Sequence, residues 1–318
     1  MANKIGIIEG DGIGPEVVRE AIKVLKYAAE LYKLELQFHN EPFSSQYLID
    51  NRQLTYDQKS KLHVVFDDTE AEIAAEVGGL LGLYDAILFG AVGDPRVKPG
   101  DIERPVIGGL RWNADTPSFA GVRPALNLWP INIHGELQPG EIDFYIVREN
   151  TEGSYTRKGG KRYVGTPKEE AYREKFATLL GTERIHRFAF ELARKLGREK
   201  VVSTHKSNAE PDVGGYWRSI AERIAKEYPD IAFQYLQRDV VAGAVGVAKS
   251  YRPAGNTDAE RVKNIVFDVL VVDNDFGDSF SSAAAAAAWG DQGKAIAPSA
   301  NINPGKGAYF EATHGSAP

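Results

Sequence analysis

Short apolar runs alternate along the chain with longer stretches in which apolar residues recur every three or four positions. "KIGIIEG" reads as a short apolar strand, and "EVVREAIKVLKYAAELY" has the spacing of an amphipathic helix. Between them Gly10, Gly12 and Gly14 allow a tight turn, and Pro15 suits the first helical position, so residues 4–32 are predicted to form strand, glycine turn and helix. "LELQFHN", "YDAILFGAVGDP" and "IDFYIVREN" follow as strands. "TERIHRFAFELARKLG" is an amphipathic helix closed by Gly197, and "GGYWRSIAERIAKEYPD" a second one closed by Pro229. "KVVSTHKSN" is strand then loop, and "FDVLVVDNDFGD" is a strand opening into an alanine-rich helix, alanine having the highest helix propensity. Strands alternating with helices predict an α/β fold with a largely parallel sheet, and such sheets carry their sites at the carboxyl ends of the strands. Arg148 after "FYIV", Lys206 after "VVST" and Asp278 after "VLVV" stand at such ends. The polar stretch 249–264, "KSYRPAGNTDAERVKN", reads as a surface insertion.

Composition narrows the function more than the fold. A chain of 318 residues, 43% hydrophobic and 26% charged, has material for two domains or one large α/β unit. The formal net charge of −6 argues against a general affinity for nucleic acid or an anionic membrane, so an anionic ligand needs a locally basic pocket. The absence of cysteine excludes disulfides, zinc–thiolate sites and a thiol nucleophile. The start is too polar for a signal peptide, and no run approaches the roughly 20 apolar residues of a membrane helix. A cytoplasmic enzyme or binding protein with a small-molecule ligand is the expectation.

Candidate chemistry falls into three groups. Arg111, Arg123 and Arg148 lie near turns or strand ends; arginines that converge there can hold a di- or tricarboxylate through their planar forks. Tyr155 and Lys206 can move protons if their surroundings tune them. Asp239 and Asp278 can ligate a hard divalent cation, with Asp268, Asp273 and Asp275 crowding the same loop as alternatives. The six histidines show no ligand spacing, and His205 and His314 read as loop residues with hydrogen-bonding roles. "GDGIGPE" does not meet G-x-G-x-x-G, so a dinucleotide fingerprint of the Rossmann kind is not present in it. Taken singly, each of these residues also fits a surface or packing role.

Together, "IGIIEGDGIGPEVVREAIKVL", "DAILFGAVGDP", "FAGVRPALNLW", "DFYIVRENTEGSY", "STHKSNA", "EYPDI", "NDFGD", "APSANINP" and "FEATHGSAP" resemble the isocitrate/isopropylmalate dehydrogenase family, in order and spacing from residue 5 to residue 318. The resemblance implies two domains around a largely parallel central sheet. Residues 1–106 with 268–318 would form the large cofactor-side domain, and 107–267 the smaller substrate and dimerisation domain. It implies a homodimer with a shared active site, NAD or NADP, Mg²⁺ or Mn²⁺, and oxidative decarboxylation of a (2R)-hydroxy acid. Carried onto this sequence, Arg111, Arg123 and Arg148 bind substrate carboxylates, Tyr155 protonates the enol and Lys206 helps take the hydroxyl proton. Asn208 lies near the nicotinamide, and His314, Gly315 and Ala317 match the adenosine loop. Asp278 and a neighbouring subunit's Asp239 match the metal acids.

The sequence departs from the family pattern in several places. Ser282 stands where a third metal-site aspartate is expected, Gly121 where an asparagine precedes the second arginine, and Asp275 where an apolar residue is usual. Family members continue past "HGSAP" through an aspartate, a glycine-rich cofactor loop and more helix, so the large domain is expected to lack its C-terminal part. Gly108 and Gly109 before Arg111 offer little apolar wall, and "RENTEGSY" with "KSNA" resembles the tartrate/D-malate branch. A small hydroxy dicarboxylate such as D-malate or tartrate is therefore the expected substrate, with 3-isopropylmalate, isocitrate or homoisocitrate as alternatives. A non-catalytic regulatory or structural homologue is the alternative of another class.

Overall fold

The computed structural model describes residues 2–51, 69–97, 100–112, 117–132, 136–156, 158–246, 268–289, 298–313 and 315; the polar stretch 249–264 lies outside them. The chain forms two compact units, residues 1–119 with 298–318, and residues 120–297. These boundaries differ from those expected at 106/107 and 267/268. Residues 107–112 are the end of a helix that packs into the first unit. Residues 269–272 are a strand held between two strands of the second unit.

In the first unit, strand β1 (Asn3–Ile8) lies between β2 (Leu36–Glu41) and β3 (Ala86–Phe89), parallel to both. Strand β14 (Gly307–Ala312) runs parallel to β3 and pairs antiparallel with β13 (Pro298–Asn303). Side chains alternate across a strand, so consecutive residues enter different layers. Ile5, Ile7, Ala86 and Leu88 pack with Val18 and Ile22 of α1 (Gly14–Tyr32). Ile8, Ile87 and Phe89 pack with α2 (Ser45–Asn51), α3 (Thr69–Leu83) and α4 (Glu103–Trp112). The glycine turn forms as expected: Gly10 and Gly12 take positive φ, and Pro15 opens α1.

In the second unit the strand order is β4 (Ala120–Leu126), β7 (Asp143–Glu149), β12 (Val269–Val272), β10 (Lys200–His205) and β11 (Ala232–Gln237). All neighbours are parallel except β4, which runs antiparallel to β7. Ile146, Val202, Leu270 and Val272 pack against Val241 and Val245 of α7 (Arg238–Gly246) and against α8 (Asn274–Trp289). Helix α8 meets the sheet through Phe280, Ala284, Ala287 and Ala288, so the alanine run is a close-packing face. The alternate residues Val201, Val269 and Val271 are buried too, which leaves both faces of the sheet covered.

Helices α5 (Leu179–Lys195) and α6 (Pro211–Ala225) are tied to β10 by one buried polar chain. Trp217 Nε1–H donates to Ser203 Oγ (2.9 Å), Ser203 donates to His186 Nε2 (2.8 Å), and His186 Nδ1–H donates to the Thr182 carbonyl (2.7 Å). Burial pushes His186 down to about 4, so it is neutral. Two hairpins complete the unit: β5 (Ile131–Asn132) with β6 (Glu136–Leu137), and the fully exposed β8 (Gly159–Arg162) with β9 (Glu170–Arg173). Among the described residues no helix is long and apolar enough to cross a membrane.

Candidate active site

Strand pairing brings Arg123 and Arg148 together. Gly121 lies opposite Arg148, so Arg123, two residues on, is its diagonal neighbour on the same face. That is also the face of Ile146, which α8 covers. Both arginine side chains are buried, and both meet one oxygen of Asp278. Arg148 Nη1 lies 2.7 Å and Arg123 Nη1 3.1 Å from Asp278 Oδ1. Asp278 sits one turn inside α8 rather than at its start, with its side chain 47% exposed. Arg123 also donates to Ser281 Oγ at 2.5 Å. Arg148 donates twice to Asn274 Oδ1, at 3.0 and 2.7 Å, and Asn274 donates onward to the carbonyls of Asn150 and Glu152. Gly277 is required here, because a Cβ would lie 2.5 Å from Arg148 Cγ.

Tyr155 completes this cluster. Its ring lies 5.6 Å from the Arg148 guanidinium, and its hydroxyl donates to Asp278 Oδ2 at 3.4 Å. Burial and then the Asp278 charge push the phenol up, against the opposing pull of Arg148, so Tyr155 holds its proton. The loop that presents it is anchored by Glu149, a buried carboxylate that accepts from Thr151 N (2.8 Å), Glu152 N (2.6 Å) and Arg184 (3.0 Å). Gly121, where an asparagine was expected, faces the side chain of Asn150, which a Cβ would meet at 2.7 Å.

A second cluster lies on the β10 side. Lys206 follows β10, and its ammonium is paired with Asp239 in the first turn of α7. Asn208 is exposed in the turn between Lys206 and α6. Arg238 stacks 3.5 Å over the Phe276 ring. His205 is not a loop residue: it ends β10 and is 1% exposed. Asp268, Asp273 and Asp275 do not share a loop, because β12 separates Asp268 from the other two by its four residues.

The two candidate metal acids, Asp239 and Asp278, are 65% and 47% exposed, and each is already charge-paired. Among the described residues no group of three or more acids and histidines could hold a metal. The donors therefore suit a hard cation that takes one or two carboxylates and fills its remaining positions with substrate oxygens and water. Ser282, the expected third acid, donates to the Asp278 carbonyl at 3.2 Å.

Arg111 belongs to the other unit. It lies near the end of α4, donating to Tyr309 (2.9 Å) and Glu311 (3.2 Å) of β14. The glycines before it do not open a pocket. A Cβ on Gly109 would lie 2.5 Å from the Ala74 carbonyl, so Gly109 lets α4 pack onto α3; Gly108 is covered by the Trp112 ring. Of the expected adenosine loop, Gly315 is exposed, while His314 and Ala317 lie outside the described residues. Asn274, Ser281, Glu149, Arg184 and Lys175 were not singled out from the sequence. The one local signal was polar residues at strand–helix junctions, which Asn274 shares with many capping residues.

The profile of the isocitrate/isopropylmalate dehydrogenase family matches residues 4–318. Similar curated proteins include the 3-isopropylmalate dehydrogenases of Clavibacter michiganensis and Clavibacter sepedonicus. Each is 37% identical over 321 residues, covering 99% of this chain and 79% of the relative. Among solved structures, the isocitrate dehydrogenase of Methylococcus capsulatus superposes with a TM-score of 0.68 at 28% identity, covering 99% of this chain and 78% of that one.

Proposed function

The chain belongs to the isocitrate/isopropylmalate dehydrogenase family, NAD(P)-dependent decarboxylating dehydrogenases that use Mg²⁺ or Mn²⁺, and from that premise we propose that its substrate is 3-isopropylmalate. The observation that carries the site assignment is the convergence of two buried arginines and a protonated tyrosine on Asp278. Arg123 and Arg148 hold a substrate carboxylate there, and the family resemblance makes Arg111 a further substrate-binding candidate. Tyr155, kept protonated, gives its proton to the enol carbon after CO₂ leaves. Lys206, in its neutral amine form, would help take the hydroxyl proton, and NAD(P) when bound would supply the hydride acceptor. By the family resemblance, Asn208 would serve the nicotinamide and His314, Gly315 and Ala317 the adenosine. Asp278 and Asp239 hold the metal, which when bound polarises the substrate oxygens as a Lewis acid.

A homodimer accounts for the exposed Asp239 beside the half-buried Lys206: the pair is presented to the Asp278 cluster of a second copy. The exposed β8–β9 hairpin supports this. An isolated two-stranded hairpin is marginal in water, yet this one presents Tyr163, Val164 and Tyr172 to solvent. On the substrate, the names of the relatives favour an isopropyl-bearing acid. D-malate or tartrate is the second reading, favoured by "RENTEGSY" and "KSNA".

Reduced-nicotinamide absorbance with Mn²⁺ present tests this. NAD and NADP are offered against 3-isopropylmalate, D-malate, tartrate, isocitrate and homoisocitrate. EDTA-sensitive turnover of 3-isopropylmalate supports the proposal, turnover of D-malate or tartrate alone moves the chain to the second reading, and none on any acid points to a non-catalytic homologue.

A further inference from the structure

A buried chain of groups leads from Lys175 to the backbone of Lys206. Lys175 precedes α5, and its side chain is 18% exposed. Its ammonium lies 2.7 Å from Asp273, 3.2 Å from Glu210 and 3.5 Å from Asp275, and 4.3 Å from the centre of the Phe276 ring. Asp273, 4% exposed, also lies 3.2 Å from His205 Nε2. On the other side of that ring, the Lys206 backbone N–H donates to His205 Nδ1 at 2.9 Å, and Glu210 Oε2 lies farther off, 3.6 Å from the same nitrogen. A ring nitrogen that accepts a hydrogen bond carries no proton, so the imidazole proton is on Nε2, the nitrogen 3.2 Å from the Asp273 carboxylate. The cavity beside these groups, lined by Glu149, Lys175, His205 and Asp273 among others, is about 10 Å³, room for one water at most.

Each link depends on the one before it. Burial pushes the Asp273 carboxyl up, but His205 and Lys175 outweigh it and hold the group below its ordinary value, so Asp273 is ionised. An ionised carboxylate only accepts, which requires the proton on Nε2 and leaves Nδ1 free to accept from Lys206. With Lys175 removed, Asp273 is a buried carboxylate short of a cation and tends to protonate. A protonated Asp273 donates to Nε2, the ring proton moves to Nδ1, and Nδ1–H then confronts the Lys206 N–H.

We propose that Lys175 is a positioning residue for Lys206, acting through Asp273 and His205 to fix the imidazole tautomer that pins the Lys206 backbone. This rests on the reading of Lys206 as the proton-transfer residue. It extends that reading to a lysine that meets neither substrate nor cofactor.

The test uses the full chain, its turned-over acid and ¹⁵N-histidine NMR. K175M is expected to lower kcat about tenfold or more with KM changed less than about threefold, as a displaced catalytic group does, and K175R to restore most of the loss. The His205 ring, assigned by its absence in H205F, is expected to show the Nε2–H tautomer in the native protein and to lose it in K175M. H205F cuts the link while leaving the Lys175–Asp273 pair intact. It is expected to show the same kcat loss and serves if K175M does not fold. Native kcat in folded H205F, or an Nδ1–H tautomer in the native protein, overturns the proposal. K206M separates the two ideas: native turnover in K206M removes the role of Lys206 and the proposal with it. A dead K206M beside an active H205F sinks the relay alone.

Discussion

The Arg123–Arg148–Asp278 cluster and the Lys206–Asp239 pair lie in one compact unit but are built to different standards. The arginines stand on paired strands, 3% and 1% exposed, with Asn274, Ser281 and Gly277 shaped around them. Lys206 and Asp239 meet near the surface at 18% and 65% exposure, after a strand end and in the first turn of a helix. Buried charges in a satisfied network lose little freedom when a ligand arrives, which suits recognition. Exposed ones are weakly bound to each other and easily re-paired, which suits groups handed to another surface.

That contrast sets the order of expected effects. R148M strands Asp278 and Asn274 without their main donor, and is expected to cost about a thousandfold in kcat/KM, with a lower Tm, because a buried network is broken. K206M is expected to lower kcat by roughly a hundredfold or more, the range of a lost acid–base group, with a smaller drop in Tm than R148M because Asp239, its partner, is exposed. A large drop in Tm for K206M, read by calorimetry, would dissolve the contrast. G277A drives a methyl into Arg148 and is expected to raise KM for the hydroxy acid about tenfold while kcat holds better, since it displaces an arginine that binds rather than reacts.

The smallest effect on activity comes from His186, bonded to Ser203 of β10. Its folded value of about 4 lies below the roughly 6.5 of an unfolded histidine, so the unfolded chain takes up the proton first. Its contribution to stability is complete above about pH 7 and falls as pH drops toward 4, by on the order of 3 kcal/mol in total. Urea unfolding of the native protein and H186Q across that range should differ in slope in this sense. Parallel curves would mean that His186 does not titrate between the two states.

Arg148 and Lys206 could be placed from the sequence because each stands at the end of an apolar run that reads as a strand, whereas Asp278 lies a turn inside α8. Their partners could not. Asn274 lies 126 positions from Arg148, and Ser281 lies 158 from Arg123. Asp273 lies far along the chain from both Lys175 and His205. Gly108 and Gly109 were misleading for a related reason: a glycine in a sequence shows that space is needed, not whether a ligand or the neighbouring helix α3 takes it.

Local pattern was enough for the alternation of strands and helices, the parallel sheets, the glycine turn and the identity of the charged residues at strand ends. Hydrophobic periodicity and backbone preference act over a few residues and leave a readable trace. Tertiary structure alone decided that β4 lies antiparallel beside β7, that α8 covers the arginines, that Gly109 serves a helix contact and that a lysine before α5 lies against Asp273. Those facts depend on which distant segments share a face, and burial energy rewards that contact without marking it in the sequence.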